Sequence, residues 1–555
     1  MTTFSHAPVE VPLGADRDGP TPLTAQIVAQ LRAALADGQL AAGDRLPSTR
    51  GLAVSLGVSR TVITTAYAQL FAEGWLESRH GSGTYVATGA TAPIPGARVG
   101  PGAPGGPNVT SGSRAAAPGA PRAPRAARAS MITEYPRHLE PQILRDHENR
   151  LGPGGRGLFS GAVEFRDHEN LLGVGVGGFP GSAELGDYGV SGGGGSLESG
   201  VIDLRPGIPW TEGIDRAAWR RAWRQAAAAP ISNWPDARGL PALRSALTGY
   251  LRRSRAVRCG TGQVLVTRGV SASLSLLATA LLRPGDRVGI EEPGYQVARA
   301  VFEAHGARLV PCRVDSNGLV VRELPDDLRM VYTTPAHQYP LGGRLAVPRR
   351  QALISWARAA GALIVEDDYD GEFRYDVGPL PALFGLDPDV VVYLGTTTKT
   401  LTPTLGAGWL VARPDLVDGL VDAGSAAAPR VPEPVQHAVL ALLENGDLER
   451  HIRRMRHDYA RRRAAMVSLL GTSGRLRGDT AGMHMFLELA PGADDEVAAA
   501  AQARGVGVIT LRRYFSGPPG RHGLVLGYGA ASLSEVTRAC QVLAEILRSS
   551  EHGSG

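Results

Sequence analysis

The chain has 555 residues, more than one ordinary domain requires and enough for two or three. With 43% apolar and 20% charged residues it can build at least one sizeable core, and a net charge of +5 is too mildly basic to argue for nucleic acid by itself. No stretch approaches the roughly 20 apolar residues of a membrane span, and the opening Met-Thr-Thr-Phe-Ser-His-Ala-Pro lacks the charged start and apolar run of a secretory signal, so a cytoplasmic protein is expected. Three cysteines, Cys259, Cys312 and Cys540, are scattered without disulfide or metal spacing, and no metal site is expected.

Residues 1–20 are rich in Pro and Gly and read as a loose tail. Residues 21–87 read as a compact helical domain. Leu23, Ile27, Leu31 and Leu35 share one helical face, and Gly38 stops that helix. Ser48 or Thr49 caps a second helix over Leu52–Leu56. Gly57-Val-Ser59 turns the chain and caps a third helix, Arg60–Glu73, expected to bury Val62, Ala66 and Leu70. Two short helices joined by a glycine turn form a helix-turn-helix, with the second helix as reader. Gly74–Val86 then reads as a β-hairpin wing with a glycine tip.

The run GDRLPSTRGLAVSLGVSRTVITTAYAQLFAEGWLESRHGSGTYV resembles the GntR family of winged-helix regulators over about 65 residues. The resemblance implies DNA contacts from Arg45, Ser48, Thr49, Arg50, Ser59, Arg60 and Thr61, and a minor-groove contact from His80 and Gly81. The chemistry agrees: helix N-termini offer free amides to phosphate, and arginine suits phosphate or guanine.

Residues 88–200 change character, with much Gly, Pro and Ala and few large apolar residues, and read as a flexible linker. The linker repeats Arg-Asp-His-Glu-Asn at 145–149 and 166–170, which reads as local duplication rather than a metal site. Globular patterning returns over 201–550. Apolar strands at Gln263–Thr267, Arg287–Glu291, Arg329–Thr333, Ala362–Glu366 and Val390–Leu394 alternate with helical stretches, the mark of an α/β domain with a mostly parallel sheet. A smaller α+β subdomain is expected at its C-terminal end.

Lys399, in Tyr393-Leu-Gly-Thr-Thr-Thr-Lys-Thr400, is the single lysine of the chain; every other residue of the Lys/Arg set is arginine. Arginine replaces lysine wherever the two are exchangeable, but not where a neutral amine must form an imine, because the guanidinium stays protonated. Pyridoxal 5′-phosphate (PLP) chemistry needs such a lysine and a carboxylate for the pyridine nitrogen. Ile364-Val-Glu-Asp-Asp-Tyr-Asp370 is an apolar strand ending in acids; one aspartate suits that role, and Tyr369 suits the ring hydroxyl, while a metal site is the rival reading.

From Val201 to about Leu547 the segments GLPALRSALTGYLRRSRAV, EEPGYQVAR, TPAHQYPLGGRLAVPRR, IVEDDYDGEFRY and YLGTTTKTL resemble fold type I aminotransferases, and the whole chain resembles the MocR family, in which a GntR domain is fused to that fold. The resemblance makes Lys399 the Schiff-base lysine, pairs Asp367 with the pyridine nitrogen and gives Tyr369 the phenolic oxygen. It stacks Tyr295 on the ring, sets His337 or Gln338 beside it, and holds the phosphate with Thr398 and the Ser271 and Ala272 amides. Three places depart from the family pattern: Gly406 for an arginine seven residues after the lysine, Ser271-Ala272 for Gln-Gln, and Thr397-Thr398 for Phe-Ser. A lost bidentate arginine removes roughly 1.5–3 kcal/mol of contact, for which a neighbour such as Arg268 is a substitute. The usual carboxylate-binding arginine near the C-terminus is also absent from Gly523–Tyr528, and Arg513 is expected to take its place toward an amino-acid or amine effector.

Three functions fit. The first is a PLP-dependent, DNA-binding transcription regulator that senses PLP or an amino compound. The second is a cofactor-free regulator on a degenerate aminotransferase-like domain, and the third is an active aminotransferase tethered to DNA. Paired half-sites and shared fold type I sites both imply a homodimer.

Overall fold

The computed structural model describes residues 13–17, 21–36, 39–79, 83–87, 200–376, 380–424, 430–471, 475–478 and 480–552. His80, Gly81 and the segment 88–199, with its repeated Arg-Asp-His-Glu-Asn, lie outside the described residues.

Helix α1 (Leu23–Ala36) turns Ile27, Leu31 and Leu35 into the N-terminal core. Helix α2 (Thr49–Ser55) starts where the Ser48 hydroxyl accepts the Gly51 amide at 3.0 Å. Helix α3 (Arg60–Glu73) starts likewise on Ser59, which accepts the Val62 amide, and ends at Gly74, whose φ of 83° closes it in the left-handed region. Its buried stripe is Ile63, Ala66, Tyr67 and Leu70, a full i, i+3, i+4, i+7 face. Val62, expected in the core with Ala66 and Leu70, is only half-buried: it lies one residue off that stripe, and Ile63 fills the place. Strands β1 (Leu76–Arg79) and β2 (Gly83–Val86) pair antiparallel as the wing, with Leu76 opposite Val86.

The C-terminal domain is built on an eight-stranded sheet. Its strands are β3 (Val264–Thr267), β4 (Arg287–Glu292), β5 (Arg308–Asp315), β6 (Gly318–Leu319), β7 (Met330–Thr333), β8 (Leu363–Asp367), β9 (Val391–Thr396) and β10 (Gly408–Val411), in the order β3-β10-β9-β8-β7-β4-β5-β6. β10 runs antiparallel to both neighbours, and β6 pairs antiparallel with β5; the remaining pairings are parallel. Successive residues of a strand alternate between two cores. Ile364 packs on one face and Leu363 and Val365 on the other, so helices cover both sides, as a buried parallel sheet demands. Helix α4 (Val270–Leu281) follows β3, and α5 (Val347–Ala360) precedes β8. Beyond the long helix α6 (Asp447–Leu470), a four-stranded antiparallel sheet joins Arg475–Arg477, His484–Glu488, Gly523–Gly527 and Ile509–Thr510.

The end of α3 touches the C-terminal domain. Arg344 Nη2 donates to the Phe71 carbonyl at 3.4 Å, and a Cβ on Gly74 would lie 3.0 Å from that of Ala346, the residue preceding α5.

Candidate functional site

The carboxyl ends of β3, β7, β8 and β9 meet at one edge of the large sheet, and a cavity of about 180 Å³ opens there. Such edges are where open α/β sheets bind ligands. Lys399, Asp367, Tyr369, Tyr295, Ser271, Thr398 and Arg513 all line it.

β9 ends at Thr396, and a short turn delivers Lys399 to the cavity floor. Its Nζ donates to the Gly207 carbonyl at 2.6 Å. Gly207 permits that approach: its φ is +81°, and a Cβ there would stand 2.9 Å from Nζ. Burial pushes the Lys399 amine below its ordinary pKa, against the pull of Asp367 and Asp370. A lowered pKa favours the neutral amine that imine chemistry uses.

The strand end after Ile364 carries five acids, and the pleat and the following turn sort them. Glu366 accepts the Leu383 and Phe384 amides at 2.8 and 3.0 Å. Asp368 is ion-paired with the fully buried Arg255 and accepts the Tyr393 hydroxyl at 2.7 Å. Asp370 Oδ2 lies 2.9 Å from His337 Nδ1, and Glu372 takes the Tyr250 hydroxyl at 2.7 Å. Asp367 alone of the five lines the cavity. Tyr332 donates to its Oδ2, while Oδ1 is buried with no partner among the described residues. Burial raises its pKa to about 7, against the Tyr332 hydrogen bond. A buried orphan acceptor needs a donor, and a cationic N–H satisfies it best.

Tyr295 stands beside Tyr332 with ring planes 24° apart, and edge-on to Tyr339. The Tyr369 hydroxyl lies 3.0 Å from both the carbonyl and Nδ1 of His337. His337 and Gln338 are not at the cavity wall. His337 lies behind Tyr369, its ring tilted 45° against that of His484 with centroids 4.6 Å apart, and Gln338 reaches Glu291 at 3.2 Å. His337, Asp370 and His484 present ligand-type atoms within 4.8 Å of one another; His337 Nδ1 is hydrogen-bonded to Asp370 and His484 Nε2 to the Pro340 carbonyl at 3.0 Å, while His337 Nε2 is buried without a partner among the described residues. Ala272 lines a neighbouring depression instead of the cavity. Arg513 reaches the cavity without an ion pair to any described residue.

Tyr332, Tyr339 and Tyr514 line the cavity without having been singled out in the sequence. The Tyr339 and Tyr514 hydroxyls meet at 3.0 Å across 175 residues of sequence. Only Tyr339, in the His-Gln-Tyr-Pro run, stood beside a marked motif.

At the other end of the chain, Ser48, Arg50, Ser59, Arg60 and Thr61 are exposed around the starts of α2 and α3, and Thr49 is half-exposed. Arg45 bridges to Tyr85, and its side chain lies over Gly83 at the loop end of the wing.

Residues 23–86 match the family model "Bacterial regulatory proteins, gntR family", and residues 200–541 match "Aminotransferase class I and II". The chain is 31% identical to the HTH-type pyridoxine biosynthesis transcriptional regulator PdxR of Corynebacterium glutamicum, over 94% of this chain and 95% of that one. It is 32% identical to the probable rhizopine catabolism regulatory protein MocR of Rhizobium meliloti, over 92% of this chain and 91% of that one. This chain belongs to the MocR-type regulators. MocR-type proteins join a DNA-binding helix-turn-helix to an aminotransferase fold, and this one is a DNA-binding transcription regulator of that build. Its fold matches solved PLP-type aminotransferases. One is LysN, the α-aminoadipate aminotransferase of Thermus thermophilus, complexed with N-(5′-phosphopyridoxyl)-L-leucine: TM-score 0.57, 25% identity, 64% of this chain and 93% of that chain covered.

Proposed function

We propose that this MocR-type regulator binds PLP through Lys399 and answers an amino compound at the same cavity by changing its hold on DNA. The observation that carries this is the buried Oδ1 of Asp367, without a partner among the described residues, in the cavity that also holds Lys399. A protonated pyridine nitrogen is the donor that atom lacks. Asp367 would hold the pyridinium, Lys399 the aldehyde carbon, Tyr369 and Tyr295 the ring, and Ser271, Thr398 and the amides opening α4 the phosphate. When bound, PLP supplies an electron sink for amino compounds. Arg513 suits the carboxylate of such a compound, because arginine offers a planar fork of donors. Binding at paired half-sites calls for a homodimer.

The first test is the visible absorption spectrum of the purified protein with added PLP, beside Lys399→Ala. A band in the wild type that the variant lacks is expected. A wild type with no band would turn the reading toward a cofactor-free regulator. Steady turnover of an amino donor with a keto acid would turn it toward a working enzyme.

A further inference from the structure

Three cationic side chains line the cavity among the described residues: Arg268, Lys399 and Arg513. Lys399 is engaged with Gly207, and Arg513 comes from the C-terminal segment next to Tyr514. Arg268 stands apart from both. It lies between Thr267, the last residue of β3, and Gly269, whose φ of +89° turns the chain into α4. No described residue forms an ion pair or hydrogen bond with its guanidinium.

The start of α4 is bare. Gly269 has no side chain to cap it, and the first helical hydrogen bond is Ser273 N to the Gly269 carbonyl, so the amides of Val270, Ser271 and Ala272 come before it. Gly269, Val270 and Ser271 line the cavity, as do Thr396 and Thr398. An uncapped helix start with a cation beside it is an anion site in chemistry, and the orphan acceptor on Asp367 marks the same cavity as built for a ligand. The sheet register fixes the spacing. Thr267 pairs with Gly408, Gly408 with Thr396, and Leu394 with Asp367, so three strand intervals separate the two ends. At ~4.8 Å per interval β3 and β8 lie roughly 14 Å apart. That leaves room for a ring held at Asp367 and an anionic group held at β3. Gly406 borders the same cavity and offers no charge, and nothing lies within 4 Å of the Cβ it lacks.

We infer that Arg268 is the phosphate-holding cation of this cavity, supplying from β3 the charge that Gly406 does not. The inference rests on the reading of the cavity as a PLP site. It is tested by titrating the wild type, Arg268→Gln and Arg268→Lys with PLP and with pyridoxal, which has the same aldehyde and ring but no phosphate, and following the visible band. Arg268→Gln is expected to weaken PLP tenfold or more and to leave pyridoxal within about twofold. Arg268→Lys should keep the charge, lose the fork and fall between the two. Because pyridoxal reports an intact Lys399 and Asp367, it also shows that each variant is folded. Equal losses for both ligands, or none for either, would overturn the role of Arg268 while sparing the cavity. A wild type that gives no band with either ligand would overturn both.

Discussion

Asp367 is buried at the cavity wall at a cost to the fold. Its carboxyl ionises near pH 4 in an unfolded chain, but burial raises it to about 7 in the folded one. Between those values the folded state binds the proton more tightly, so this residue's contribution falls as pH rises from about 4 to 7, and the loss is complete above 7. Asp367→Asn removes that loss and keeps the shape. The PLP-free variant should therefore gain stability over wild type by about 1–4 kcal/mol at pH 8, with the gain shrinking toward zero at pH 4. Urea denaturation at both pH values checks it; Glu366 and Glu372, also raised by burial to about 7, are common to both proteins and cancel. The same variant should hold PLP more weakly, because an amide cannot match a carboxylate facing a pyridinium. Lys399 was legible in the sequence because arginine had taken every other place. Tyr332, Tyr339 and Tyr514 were not: separate elements bring them together, and no spacing in the chain records it.

At the scale of the element, the acid-rich end of β8 works by division of labour. Arg255 is fully buried against Asp368, and its Nη1 donates to the Gly371 carbonyl at 2.9 Å. Arg255→Met would leave Asp368 charged and unpaired in the core, beside Glu372. A loss of about 3–5 kcal/mol is expected, read as a lowered denaturation midpoint with unchanged slope. A double variant that also carries Asp368→Asn should recover part of it. In the DNA-binding domain, Ser48→Ala removes the cap of α2 and should cost about 1 kcal/mol. Arg60→Ala, on an exposed position at the start of α3, should leave stability alone and weaken DNA binding at every salt concentration tested. Strands with uninterrupted apolar runs were legible within a residue or two. β5 was not, since Pro311 interrupts it and three of its eight residues are exposed; nor was β10, four residues introduced by Gly406 and Gly408. The acids after Ile364 read as a cluster in sequence, and only the pleat shows which one faces the cavity.

For the whole molecule the question is how a ligand in the cavity reaches DNA. One loop touches both the cavity and α3. Residues 334–345 bring Tyr339 to the cavity wall, where it meets Tyr514, and five residues on, Arg344 meets the Phe71 carbonyl of α3. Internal hydrogen bonds tie the loop together: Gln338 N donates to the Gly343 carbonyl at 2.5 Å, and Leu345 N to the Pro335 carbonyl at 2.9 Å. Just beyond it, Ala346 packs against the glycine that ends α3. A ligand that shifts Tyr339 therefore has a short mechanical path to α3, and coupling requires that the two arrangements of α3 differ in their contact with this loop. Ala346→Glu places a longer side chain against Gly74, where even a Cβ on the glycine would already be crowded. PLP affinity, read from the visible band, should stay within about twofold, since residue 346 does not line the cavity. The PLP-dependent change in DNA affinity, ordinarily about 5–150-fold in coupled systems, should collapse toward one. Fluorescence anisotropy of labelled operator DNA, with and without PLP, measures it for both proteins. If the variant binds DNA and keeps the full PLP response, the path runs elsewhere than through the end of α3. If it binds DNA with equal strength in both conditions, this contact is the one through which the cavity is felt.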